Sequence, residues 1–232
     1  MEVDPVCILC NIMLEDDYHL FFSCSYPVFI RRHILRLLGL RDVIAQDWDK
    51  QIDWCVDHIK GGNSIAISWQ KPEVGDVAVN TDGSLSDDGA GFGAIIRDEH
   101  GTALSAVEGS SGPSSITLHE LQGIEAGLKL AILNGHSRIS LKSDSKTSLS
   151  YLKEDGSKPP WTCHHVWESI KRLRMQFEKC SHSHNYREVN GAADLLASSR
   201  PAWNFVVVHP NSFSEELKKI IREDAMGKTY YR

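Results

Sequence analysis

The sequence predicts an α/β fold, a five-stranded mixed sheet flanked by helices, with a small Cys/His-bearing segment ahead of it. Three observations carry that expectation. VAVNTD, residues 77–82, alternates Val77, Val79 and Thr81 with Ala78, Asn80 and Asp82, the period of a strand with two unlike faces. Two more short strands follow behind turn residues, and only then do helical stripes begin, interleaved with further strands. A strand that leads through a helix to another strand argues for a mixed sheet covered by helices. Lastly, three of the six cysteines crowd into the first 24 residues beside a histidine.

The elements read in order as follows. Residues 28–40 carry Ile30, Ile34, Leu37 and Leu38 at helical spacing, with Gly39 as a stop. Residues 46–60 present Ile52, Cys55, Val56 and Ile59 on one helical face, and Gly61-Gly62-Asn63-Ser64 reads as a linker. This divides the chain into 1–40, a linker over 41–66, and a main domain with a C-terminal extension over 67–232. After the first strand, GAGFGAIIR is a second strand whose glycines permit close approach, Asp98 to Gly101 a tight turn, and TALSAVEG a third strand. Thr117 and Glu120 then form a capping box for a helix with the stripe Leu121, Ile124, Leu128, Ala131 and Ile132, closed by Gly135. RISLKSD is the fourth strand, SKTSLSYLK a short helix, and Trp167, Ile170, Leu173 and Phe177 mark another helix. SHSHNYRE is the fifth strand and GAADLLASSR the helix behind it.

Composition bounds the function. The net charge of −6 excludes a uniformly basic nucleic-acid binder, although Lys158, Lys171, Arg172, Arg174 and Lys179 face only Glu168 and Glu178 within one segment. No apolar run approaches the roughly 20 residues of a membrane span. The acidic MEVDPVCILC lacks the basic start of a leader, so an intracellular, reducing compartment is expected, nucleus or cytoplasm.

Four acids stand out: Asp82, Glu120, Asp144 and Asp194, each at a strand end or in a helix. Gathered together they would make an oxygen cage for hard divalent cations, the usual equipment of phosphodiester cleavage. Each also has an ordinary reading: Asp82-Gly83 as a turn, Glu120 as half of its capping box, Asp144 as a helix N-cap, Asp194 as a solvated helical acid.

The motifs around these acids resemble the type-1 ribonuclease H family, in the plant branch found in non-LTR retroelements and host genes like them. WQKPEVGDVAVNTDGS, GAGFGAIIRDEHG, HELQGIEAGLKLAILNG, LKSDS and HNYREVNGAADLLA match that family's motifs in the correct order, from about Ser68 to the end of the chain. The resemblance implies a ribonuclease H-like sheet and a metal-dependent endonuclease that cuts the RNA strand of RNA–DNA hybrids. It implies two Mg²⁺ ions, with Mn²⁺ as a substitute, on Asp82, Glu120, Asp144 and Asp194, with Asp194 the most replaceable ligand. One ion would activate a water and the other stabilise the leaving 3′ oxygen. Asn80, Ser84 and Lys142 are candidate contacts to the nucleic acid. His182 and His184 are expected to be structural, and Arg187 and Asn190 to brace the last strand and helix. Lys142 departs from the family's usual Glu; sharing the face of Asp144, it would offset the cage, bind phosphate or weaken metal affinity. His119 and Gly123 replace residues that are usually small around Glu120. The rival readings are a retroelement-derived nucleic-acid-binding or interaction module without activity, and a two-metal nuclease acting on another duplex.

Cys7-x2-Cys10-x8-His19-x4-Cys24 offers four ligands at the spacing of a Zn²⁺ knuckle. CILCNIMLEDDYHLFFSC resembles the zinc-binding domain that follows reverse transcriptases in plant retroelements, here over about residues 5–38. Leu20, Phe21 and Phe22 would pack around the knuckle. No obligate protein partner is implied.

Overall fold

The computed structural model describes residues 6, 7, 9, 10, 12, 19, 24, 25, 28–30, 33, 65–87, 89–153 and 156–231. The chain divides into two units, Met1–Ile65 and Ala66–Arg232. In the first unit, residues 28–30 and 33 are helical. The rest of the 28–40 stripe, the helix expected over 46–60, and Leu20, Phe21 and Phe22 lie outside the described residues.

The second unit opens with β1 (Ala66–Ser68) and a meander of β2 (Val77–Ser86), β3 (Gly89–Arg97) and β4 (Ala103–Ser111). The turn between β3 and β4 is held by Asp98, whose Oδ1 accepts from His100 N at 2.9 Å and Thr102 N at 2.8 Å. Next come α1 (Ile116–Leu133), β5 (Arg138–Ser143), α2 (Lys146–Ser150), α3 (His164–Arg174), β6 (Lys179–His184) and α4 (Gly191–Ser199). Beyond these lie β7 (Val206–Val208), α5 (Glu215–Ala225) and β8 (Thr229–Tyr231).

The main sheet runs β6-β5-β2-β3-β4-β7. The helical crossover makes β5 parallel to β2, and β6 is parallel to β5, while β3, β4 and β7 join antiparallel. The five expected strands are β2 to β6. The sheet gains a sixth, β7, and β1 pairs separately with β8. Strands of three residues offer too little alternation to be read from sequence.

The two larger cores among the described residues lie on opposite faces of the sheet, and a smaller one gathers Trp69, Ala78 and Val189. On one face, Val77 and Val79 pack with Leu121, Ile124 and Leu128 of α1 and Ile170 of α3. On the other, Ile95 and Ala106 meet Ala192 and Leu196 of α4, Leu217 of α5 and Phe213 just ahead of that helix. Each fully buried aliphatic chain contributes about 1.5–3 kcal/mol. A Cβ at Gly93 would stand 2.6 Å from Ala197 N, so α4 lies directly on the β3 backbone. Among the described residues, no helix is long and apolar enough to cross a membrane.

Candidate functional site

Asp82 does not sit in a turn. It lies inside β2, opposite Gly93, with four further strand residues after it. Nor is Glu120 part of a cap. The N-cap of α1 is Ser115, whose Oγ accepts from Leu118 N at 3.2 Å, so the helix begins before Thr117 and the expected capping box does not form. Asp144 is likewise not an N-cap, since Ser145 fills that role for α2. Three ordinary uses of these carboxylates are therefore absent from the structure.

Instead, Asp82, Glu120 and Asp144 converge, with one carboxylate oxygen of each within 4.8 Å of the others. Close contact between α1 and β2 makes this possible. A Cβ at Gly123 would lie 2.4 Å from the Asp82 carbonyl oxygen, and one at Gly83 only 2.2 Å from Glu120 N. Gly123 thus serves the approach of Glu120 to Asp82 and is not merely a weak point in the helix. His119, the other departure, is buried and tied to Ser111 Oγ at 3.1 Å, Gln122 Oε1 at 2.9 Å and Ser114 N at 3.2 Å, which pins the loop before α1.

The electrostatics are those of an unneutralised acidic cluster. Burial pushes the Asp82 carboxyl up to about 9, and the charges of Glu120, Asp144 and Asp194 add to the effect. Glu120 is pushed up to about 8, again chiefly by burial and then by Asp144. Glu120 Oε2 and Asp144 Oδ1 are buried without a hydrogen-bond partner. Such orphaned oxygens are expensive unless a cation or water meets them. The donor set is therefore of the kind that a hard divalent ion fits.

Asp194 stands apart from this group of three. It lies in the first turn of α4, 42% exposed, with Arg187 Nη2 3.5 Å from its Oδ1. It still acts on Asp82 and Glu120 through its charge. Arg187 is 79% exposed and its charge favours ionised Glu120, so it sits at the rim rather than bracing the fold. Asn190 does brace: it is buried and donates from Nδ2 to Thr81 O at 3.0 Å. His184 is structural, with its Nε2 3.1 Å from the Asp144 carbonyl oxygen and its ring edge-on to Tyr186.

Asn80 and Lys142, expected as substrate contacts, are buried. Asn80 Oδ1 accepts from Trp69 Nε1 at 3.1 Å and Arg97 Nη2 at 3.0 Å, which leaves no open edge for a duplex. Lys142 donates to Gln70 O and lies 5.3 Å from the centre of the Trp69 ring. Its ammonium is pushed down to about 8 by burial and then by Arg97, with no carboxylate of the cluster among the causes. Being buried against Trp69, it presents no open surface to a duplex. Ser84 remains half-buried, within 3.5 Å of Arg200 Nη2. The basic segment is largely occupied too. Lys171 pairs with Glu168 at 2.6 Å, Lys179 with Glu73 and Asp76 at 2.6 Å each, and Arg174 Nη1 donates to Leu152 O at 2.7 Å.

In the first unit, Cys7, Cys10, His19 and Cys24 come together with their ligand atoms within 4.8 Å of one another. Cys7 Sγ lies 3.9 Å from Cys24 Sγ, and Cys10 Sγ 3.2 Å from His19 Nε2. Three of the four are buried, Cys10 only partly so.

Comparison with known proteins agrees with this picture. Residues 80–200 match the family described as "Reverse transcriptase-like". The Arabidopsis thaliana protein named "Putative ribonuclease H protein At1g65750" is 30% identical over 171 residues, or 70% of this chain, which spans only 26% of that protein. The RNase H1 of Halobacterium salinarum superposes with a TM-score of 0.50 at 22% identity, covering 53% of this chain and 95% of that one. The N-terminal RNase H domain of rv2228c from Mycobacterium tuberculosis gives 0.50 at 24% identity, covering 54% and 98%. Fold, motif order and family match coincide on one stretch: the chain belongs to the reverse transcriptase-like family, through a domain with the ribonuclease H fold.

Proposed function

We propose that the Ala66–Arg232 unit is a metal-dependent endoribonuclease that hydrolyses the RNA strand of RNA–DNA hybrids. The observation that carries this reading is the convergence of Asp82, Glu120 and Asp144, with Glu120 Oε2 and Asp144 Oδ1 buried and unpartnered. These three would hold Mg²⁺ or Mn²⁺, and Asp194 at the rim would complete the set. Divalent ions bound there would supply the positive charge that makes water a nucleophile near neutral pH and stabilises a departing 3′ oxygen. The chain's own part is to hold three acids with their oxygens within 4.8 Å of one another, and to keep Arg187 beside Asp194, where a phosphate could meet it. Choice of RNA over DNA would rest on the 2′-hydroxyl. The Arabidopsis relative is named as a ribonuclease H protein, which supports the substrate class. Lys142, the departure that in sequence favoured a non-catalytic module, is buried against Trp69 and donates to the Gln70 carbonyl rather than to an acid of the cluster.

The test is cleavage of a labelled RNA–DNA hybrid with Mg²⁺, beside single-stranded RNA and duplex DNA. Cutting confined to the hybrid and lost in Asp82→Asn is the expected result. A folded chain that binds the hybrid without cutting it would overturn the reading.

The first unit is proposed to bind one Zn²⁺ through Cys7, Cys10, His19 and Cys24. Three thiolates and an imidazole are a soft, tetrahedral donor set of the structural type.

A further inference from the structure

Asn80 sits two residues before Asp82, and its carboxamide has its direction set by Arg97, inside the matched region, and Trp69, outside it. Two donors, Arg97 Nη2 and Trp69 Nε1, both point at its Oδ1, at 3.0 and 3.1 Å. An amide so held must turn its NH₂ the other way. There Asn80 Nδ2 donates to Asn190 Oδ1 at 3.2 Å. This fixes the second amide in turn, so that Asn190 Nδ2 donates to Thr81 O at 3.0 Å, the carbonyl beside Asp82. The Asn190 backbone oxygen accepts from Ala193 N at 3.0 Å and Asp194 N at 3.1 Å, opening the helix that carries Asp194.

The relay starts at Asp224, near the end of α5. Its Oδ2 lies 2.7 Å from Arg97 Nη1, with both side chains essentially inaccessible. Its Oδ1 accepts from Tyr230 of β8 at 3.2 Å. Arg97 also stacks 3.7 Å from the centre of the Trp69 ring. Asp224, Tyr230 and Trp69 all fall outside residues 80–200. Without Arg97 the Asn80 amide loses a charge-assisted donor, and its two orientations approach each other in energy.

We propose that Asp224 is a positioning residue for the acidic site: through Arg97, Asn80 and Asn190, the C-terminal helix fixes the backbone at Asp82 and the start of the helix bearing Asp194. The metal-binding consequence rests on the function proposed above, whereas the mechanical coupling does not. A positioning role of this kind costs roughly 10- to 100-fold in metal affinity when removed.

The experiment uses the full-length chain with the double substitution Arg97→Met/Asp224→Leu, which removes both charges and so avoids an unpaired buried ion. Asp224→Asn is a second variant that retains an acceptor for Arg97. Two quantities are read: amide hydrogen exchange by NMR, and Mn²⁺ affinity by electron paramagnetic resonance with Asp82→Asn as control. Expected is a selective loss of protection at Ala193 and Asp194 relative to α1, with Mn²⁺ affinity lowered by roughly 10- to 100-fold. Native protection at those two amides in a folded variant overturns the proposal. So does a loss of protection shared evenly with α1, which is the mark of a merely structural ion pair. If the unaltered chain shows no Asp82-dependent Mn²⁺ binding, the metal reading fails, and the exchange data alone decide the coupling.

Discussion

At Asp82 and Glu120 the folded chain holds protons that the unfolded chain would release at ordinary carboxylate values of 3.8 and 4.5. Groups raised in this way stabilise the fold fully below those values and lose that contribution as pH rises through about 8 and about 9. Metal-free protein should therefore lose Tm relative to Asp82→Asn as pH rises from 5 to 9. Comparing the two cancels the contribution of Lys142, whose lowered value acts in the opposite direction above about 8. Thermal unfolding in chelator measures it, and parallel curves would refute the clustering. Gly123 offers a second prediction at this scale. Helix propensity alone makes Gly→Ala a gain of about 1 kcal/mol. Here the added Cβ meets the Asp82 carbonyl at 2.4 Å, so Gly123→Ala should instead cost about 1–3 kcal/mol as overpacking, read by denaturant unfolding, and should depress hybrid cleavage.

Among the elements, α1 shows what a sequence does and does not disclose. Its apolar stripe was legible because Leu121, Ile124 and Leu128 recur at helical spacing and all are buried. Its beginning was not. Ser114, Ser115 and Thr117 are all capping residue types within four positions, and the choice depends on how β4 delivers the chain. Ser115→Ala should cost about 1 kcal/mol, whereas Thr117→Ala, inside the helix, should cost little; equal losses in chemical denaturation would contradict the observed cap. The carboxylate site was legible for a similar reason, since Asp82, Glu120 and Asp144 each occupy a recognisable place within a local pattern. The buried fate of Asn80 and Lys142 was not. Strand alternation put them on the same face as Asp82 and Asp144, but which stretch of that face stays open depends on Trp69, Arg97 and α5, far away in sequence. The α5 helix itself had a signal, with Ser214 ahead of Glu215 and Glu216 and then Leu217, Ile220 and Ile221 at helical spacing.

For the whole molecule, the two units bring two chemically distinct donor sets, one of soft sulfur and nitrogen and one of hard oxygen. Protein purified without added metal should carry about one equivalent of zinc per chain by elemental analysis, lost in Cys10→Ser and retained in Asp82→Asn. Zinc that follows Asp82 instead would reverse the assignment.

The pairing of β1 with β8 sets Ala66 directly across from Tyr231. The outer ends of β1 and β8 thus share one rung of an antiparallel ladder. A two-residue Asn-Gly turn is the connection such a ladder accepts. The unit is therefore close to being a closed ring, and its order along the gene is only one of several orders in which the same ring could be written, with a break opened at a surface turn such as that around Asp98.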